Sequence, residues 1–149
     1  MKGNLKTMST RVPAAPDAIE EKTLFIDVPY TTPNGTRVAL KHAAEMSSGL
    51  NGAILLIDAV VVPVQRPISE PQVNGEFLER RLREIAEESV IPVQVEIVYT
   101  RDRLLAFNRS LRPNSLVVIA AGSRWWPSIE REYAHFLTRA GHDVVLVSR

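Results

Sequence analysis

Two segments of this 149-residue chain restrict its fold more than anything else in it. Ala53-Ile54-Leu55-Leu56-Ile57-Asp58-Ala59-Val60-Val61-Val62 and Ser115-Leu116-Val117-Val118-Ile119-Ala120-Ala121 are almost unbroken apolar runs, largely β-branched. A strand with one wet face alternates polar with apolar residues. A strand covered on both faces, as in a parallel sheet flanked by helices, has no reason to. Both runs therefore read as central strands of such a sheet.

The residues between them supply the helices and the remaining strands. Leu24 to Val28 is a short strand ended by Pro29. Thr31-Thr32-Pro33 is a helix start, a Thr cap followed by Pro at the first helical position, and Val38, Ala39, Leu40, Ala43, Ala44 and Met46 mark one face before Gly49. Phe77, Leu78, Leu82, Ile85, Ala86 and Ser89 keep helical spacing, with Glu79, Arg80, Arg81, Arg83, Glu84 and Glu87 on the wet side. Val93, Val95 and Ile97 alternate with Gln94 and Glu96, which predicts a half-exposed strand near an edge. A short helix follows Asp102, and a last helix runs from about Ser128 to Arg139, stopping at Gly141 before the closing strand Val144 to Val147. The order β-α-β-α-β-α-β-α-β predicts a three-layer, doubly wound, mainly parallel five-stranded sheet with helices on both faces, a Rossmann-like α/β fold.

Residues 1–22 are polar, with Pro13, Pro16 and Gly3 and no periodicity, and read as a flexible leader or a linker to another domain; residues 23–149 form the α/β domain. Pro63 to Gly75 is a loop longer than most connections. Doubly wound sheets bind ligands beyond the carboxyl ends of their strands, where the strand order reverses. That directs attention to Pro29–Pro33, Asp58–Gly75 and Gly122–Ser128.

Composition narrows the function. Eighteen basic against seventeen acidic side chains give a net charge of +1, too little to attract a nucleic acid. No apolar run approaches the roughly 18 residues of a membrane span, so no membrane insertion is expected. Cysteine is absent, which removes thiolate nucleophiles, disulfides and zinc-finger ligation. The first residues carry no secretory apolar stretch, and a cytoplasmic location is expected.

Three local patterns resemble the universal stress protein family across about Thr23 to Val147. Val28-Pro29-Tyr30-Thr31 followed by Arg37-Val38-Ala39-Leu40-Lys41-His42-Ala43 is similar to the family's first strand and helix. Ala53 to Val60 with its proline-containing loop is similar to the second strand, and Ser115 to Gly122-Ser123-Arg124 to the fourth. The resemblance implies an adenine nucleotide alpha hydrolase-like fold and a nucleotide crevice. It also marks departures from the ATP-binding pattern. Thr31 stands where an Asp ends the first strand, Gly122 matches the first glycine of the phosphate loop, and Trp125 occupies the second glycine position. Trp125-Trp126-Pro127 replaces residues that would let backbone N–H groups reach phosphates, so ATP binding in the family's manner is not expected. The two indoles either plug a gap over their own core or stack on a base or partner.

The candidate crevice residues are Thr31, Asp58, Gly122, Ser123, Arg124 and Ser128. Arg124, Ser123 and Ser128 suit a small anion at a helix start, although Ser128 also reads as a plain cap. Asp58 and Asp27 read first as acceptors for backbone N–H groups of a following loop, and second as a base or a ribose-hydroxyl acceptor. His42, His135 and His142 are scattered, and no metal site is expected. Gly-x-Ser-x-Gly, Walker-type and nucleotidyltransferase signatures are missing, so no catalytic residues or cofactor are assigned and an enzyme is not expected. The expected function is association. Val144, Val145, Leu146 and Val147 form an apolar edge or near-edge strand, and the family resemblance suggests a homodimer through it. The alternative is a small-ligand or nucleotide-sensing regulatory domain of a membrane transporter or signalling protein.

Overall fold

A computed structural model describes residues 8–12, 24–69, 75–122 and 128–149. Ten elements follow in chain order: β1 (Met8–Val12), β2 (Leu24–Pro29), α1 (Pro33–Met46), β3 (Gly52–Val61), α2 (Gly75–Glu87), β4 (Val93–Thr100), α3 (Arg103–Ser110), β5 (Leu116–Ala121), α4 (Ile129–Arg139) and β6 (Asp143–Ser148). The sheet order is β1-β4-β3-β2-β5-β6. β2 to β6 are mutually parallel, as expected of the doubly wound arrangement, and the two apolar runs form the interior strands β3 and β5.

Strand alternation divides the core. Leu56 and Val60 of β3 pack with Leu40, Ala43, Leu82 and Ile85 on the α1/α2 face. Leu55, Ile57 and Ala59 pack with Phe107, Tyr133 and Leu137 on the α3/α4 face. The helix starts form as their cap chemistry dictates. Oγ1 of Thr32 accepts the backbone N–H of Gly35 at 3.0 Å with Pro33 opening α1, and Oδ1 of Asp102 accepts that of Leu105 at 3.1 Å. Gly49 and Gly141, at φ 76° and 98°, follow the ends of α1 and α4 in the left-handed region glycine tolerates.

Three expectations are corrected. The polar leader holds a strand: β1 pairs antiparallel with β4 over Met8↔Tyr99 to Val12↔Val95, making the sheet six-stranded. Met8, Thr10 and Val12 alternate with Ser9 and Arg11, a pattern too short to register as periodicity, and pairing covers the outer edge of β4. The rest of the leader lies outside the described residues. For the same reason β4 is not half exposed. With β1 beside it and helices over both faces, Glu96 retains 6% exposure, and β4 is second from the edge. Met46 and Phe77, read as core-facing, are 37% and 54% exposed because each lies in a terminal turn where its helix runs past the core.

Candidate functional site

The strand order reverses at β2, which has β3 on one side and β5 on the other. Beside that point, β3 and β4 continue past β2. Pro29, the last residue of β2, pairs with Ile57, and the backbone N–H of Tyr30 donates to the Ile57 carbonyl at 2.7 Å. Asp58 is therefore the first β3 residue beyond the end of β2. By alternation its side chain lies on the α1/α2 face, between Leu56 and Val60.

There it lines a cavity of about 210 Å3 with Tyr30, Thr31, Ala59, Val60, Leu78, Arg81, Leu82 and Arg103. Thr31 is held over the first turn of α1, its backbone N–H donating to Oγ1 of Thr36 at 3.2 Å. A Cβ on Gly35 would fall 3.0 Å from Oγ1 of Thr31 and 2.9 Å from Oγ1 of Thr32, so glycine keeps this turn close to the cavity wall. Arg103, the first residue of α3, reaches over the carboxyl end of β3. Its Nε donates to the Ala59 carbonyl at 3.0 Å and its Nη1 to Oη of Tyr133 at 3.0 Å. The Tyr133 ring meets Phe107 edge-on at 5.2 Å, which fixes the hydroxyl that holds Arg103.

Asp58 is half-buried, and among the described residues no hydrogen bond or ion pair reaches its carboxylate. Burial pushes its pKa up to about 6, against the opposing pull of the Arg103 and Arg81 guanidiniums. Burial also raises the Tyr30, Tyr99 and Tyr133 hydroxyls, with the Asp58 charge adding to each. The cavity thus contains a desolvated carboxylate between two cationic side chains, with aliphatic walls from Val60, Leu78 and Leu82.

Of the residues the sequence singled out, Thr31 and Asp58 come together here. Gly122 and Ser128 sit at the carboxyl end of β5 and do not line this cavity. The Gly122 carbonyl accepts Nη2 of Arg131 at 2.9 Å, and a Cβ on Gly122 would lie 3.2 Å from Nη2 of Arg149. Ser128 caps α4, its Oγ accepting the Arg131 N–H at 3.3 Å. Ser123 and Arg124 lie outside the described residues, as do Trp125, Trp126 and Pro127. Sequence reasoning missed Tyr30 and Arg103 and placed Arg81 on the wet side of its helix. The available signal was position: Tyr30 and Arg103 each follow closely on a strand's carboxyl end.

Asp27 lies elsewhere. Fully buried in β2, it accepts Nε and Nη2 of Arg112 on Oδ1 at 2.8 and 2.6 Å, and the Arg112 N–H and the Ser115 hydroxyl on Oδ2 at 2.9 and 2.7 Å. The Arg112 guanidinium stacks 4.4 Å over Phe25. The expectation that both aspartates accept from the loop that follows them is corrected: Asp27 is met by the loop entering β5, far along the chain, and Asp58 accepts no hydrogen bond among the described residues.

A larger hollow of about 720 Å3 runs between α1 and α2, lined by the aliphatic Val38, Leu40, Ala44, Ile85 and Val90 and by the polar Lys41, Glu45, Ser48 and Ser89. Arg37 and Glu88 at its rim satisfy each other at 3.0 Å. Among the described residues no group of three or more His, Asp or Glu is placed to hold a metal ion, and no helix is long and apolar enough to cross a membrane.

No family model and no curated protein matches the chain. A solved structure does: a universal stress protein in complex with cAMP superposes over 86% of this chain and 98% of its own, with a TM-score of 0.54 and 13% identity. The fold is that of a universal stress protein. At that identity the likeness is one of architecture. Within the universal-stress fold, the cavity around Asp58 occupies the carboxyl edge of the sheet, where ligands of doubly wound proteins bind.

Proposed function

We propose that this protein works by binding rather than catalysis, with the carboxyl-edge cavity seating a small polar ligand and β6 joining two copies into a homodimer. The observation that carries the first part is the Asp58 carboxylate, which accepts no hydrogen bond among the described residues and lines one cavity with Arg81 and Arg103 at the end of the parallel strands. A desolvated carboxylate beside cationic groups in a cleft marks a candidate functional site. The described lining includes no histidine and no hydrogen-bonded nucleophile and base, which favours recognition over a reaction.

The superposed universal stress protein holds cAMP, which makes nucleotides the first compounds to try. At about 210 Å3 the cavity is smaller than the roughly 300–1,000 Å3 of drug-sized sites, and Thr31 replaces the acid expected at the end of the first strand. A triphosphate is therefore expected to gain nothing over a smaller ligand. Thermal-shift titrations with AMP, cAMP, ATP and phosphate, extended to a panel of small metabolites, test this. A ligand present at a hundred times its Kd should stabilise the chain by about 2.7 kcal/mol. Flat melting curves across the panel would remove the binding reading.

Dimerisation rests on a second observation. β6 pairs with β5 alone among the described strands, and Leu146 in its middle is 42% exposed. An apolar edge of this kind invites a further strand. Light scattering after size exclusion should give a dimer at micromolar concentration and a monomer for Leu146→Lys.

A further inference from the structure

The cavity's charges are of opposite sign, and this restricts its ligand further than size does. The Asp58 carboxylate has lost much of its water and accepts no hydrogen bond among the described residues. Arg81, projecting from an exposed position of α2, has no ion pair among them either, and Arg103 is fixed over the cavity by the Ala59 carbonyl and Oη of Tyr133. An anion alone would satisfy the guanidiniums and add repulsion at Asp58. An amine alone would satisfy Asp58 and make no use of Arg81 or of the remaining donors of Arg103. A ribose hydroxyl would donate to Asp58 but bring no positive charge to neutralise it, whereas an ammonium supplies both the donor and the charge. A molecule carrying both charges a few bonds apart leaves neither side uncompensated. Val60, Leu78 and Leu82 then offer a surface to an aliphatic tail.

We propose that the cavity takes a small zwitterion with an aliphatic tail, of the class of the branched α-amino acids, its ammonium on Asp58 and its carboxylate on Arg81 and Arg103. This rests on the reading of the cavity as a ligand site.

Isothermal titration of the full chain at pH 7.5 with L-leucine, 4-methylpentanoate, 3-methylbutylamine, AMP and cAMP tests it. The two leucine analogues each lack one of its charged groups. Leucine should bind, and each analogue should bind at least about tenfold more weakly. Asp58→Asn should weaken leucine at least about tenfold without weakening 4-methylpentanoate, and Arg81→Ala, at an exposed position, should weaken leucine in a chain of unchanged melting temperature. Leucine that fails to bind, or binds Asp58→Asn as well as the parent, overturns the proposal. If leucine is flat while AMP or cAMP binds, the zwitterion falls and the ligand site stands. If all five are flat and no other compound stabilises the chain, both fall.

Discussion

Asp27 and Asp58 interrupt apolar runs in adjacent parallel strands, and the protein uses them in opposite ways. Asp27 is fully buried, with four donors from Arg112 and Ser115 within 2.9 Å. Asp58 is half-buried with two guanidiniums nearby and no hydrogen bond from the described residues. The difference comes from the ends of the sheet. The loop that enters β5 folds back onto Asp27 and meets its charge with a fork and a hydroxyl. Beyond β2 the strands β3 and β4 run on past a chain that has turned away, leaving Asp58 facing a hollow. A buried acid on a strand is structural where a neighbouring loop supplies donors and available to a ligand where none does.

Removing the Asp27 carboxylate should produce the largest effect. Asp27→Ala leaves the Arg112 guanidinium in its pocket with only the Ile26 and Ala53 carbonyls and the Phe25 ring. Breaking one side of a buried pair costs about 3–5 kcal/mol. Urea denaturation should show the midpoint falling with an unchanged slope. A loss below about 1 kcal/mol would mean the network is not what joins β2 to β5.

Asp58→Asn should move stability the other way. Asp58 takes up a proton near pH 6 when folded, against an ordinary value of 3.8. Between those values the folded chain holds the proton and the unfolded chain does not, so the contribution of Asp58 to stability improves as pH falls from 7 to 4. At pH 7 the substitution should therefore stabilise the chain by about 1 kcal/mol, a figure already reduced for solvent reaching the carboxylate. By about pH 4 the gain should be gone. Melts of both chains between pH 4 and 8 would measure it, and a destabilised Asp58→Asn at pH 7 would erase the contrast with Asp27.

The two aspartates also mark how far the sequence could be read. The caps at Thr32, Asp102 and Ser128 and the edge position of β6 were legible because cap bonds and strand patterning are local. The sheet interior was legible because two continuous apolar runs admit few other homes. The partner of Asp27 was not, since Arg112 lies 85 residues along the chain and nothing in either neighbourhood points to the other. The cavity was half legible. Thr31 and Asp58 follow from the rule about strand ends, but Arg81 and Arg103 reach it only because α2 and α3 lie on opposite faces of β3 and meet over its end. β1 escaped because five residues with three of one parity look like composition, not pattern.

Tyr133→Phe tests what holds the Asp58 side together. It keeps the ring against Phe107 and removes the hydroxyl that receives Nη1 of Arg103. One hydrogen bond to a charged, solvent-accessible group should be worth about 1 kcal/mol. The stronger sign would be at Asp58. If Arg103 swings away, its pull on the carboxylate weakens and the Asp58 pKa rises further, visible as an upfield-to-downfield carboxyl shift at higher pH in NMR titration. An unmoved titration would show that Ala59 alone fixes Arg103.

The smallest effect separates burial from ion pairing. Arg37 and Glu88 form the same type of pair as Arg112 and Asp27, with Nε of Arg37 3.0 and 3.1 Å from the two carboxylate oxygens, but both side chains are well exposed on α1 and just beyond α2. Exposed pairs contribute about 0–1 kcal/mol and weaken with salt, because water and counterions already solvate each partner. A double-mutant cycle with Arg37→Ala and Glu88→Ala should therefore give a coupling of about 0.5 kcal/mol or less, shrinking at high salt. The same cycle on Arg112 and Asp27 should give several times more and resist salt. Equal couplings would mean that the surrounding protein contributes nothing to the buried pair, and that the contrast between the two aspartates lies in pairing alone.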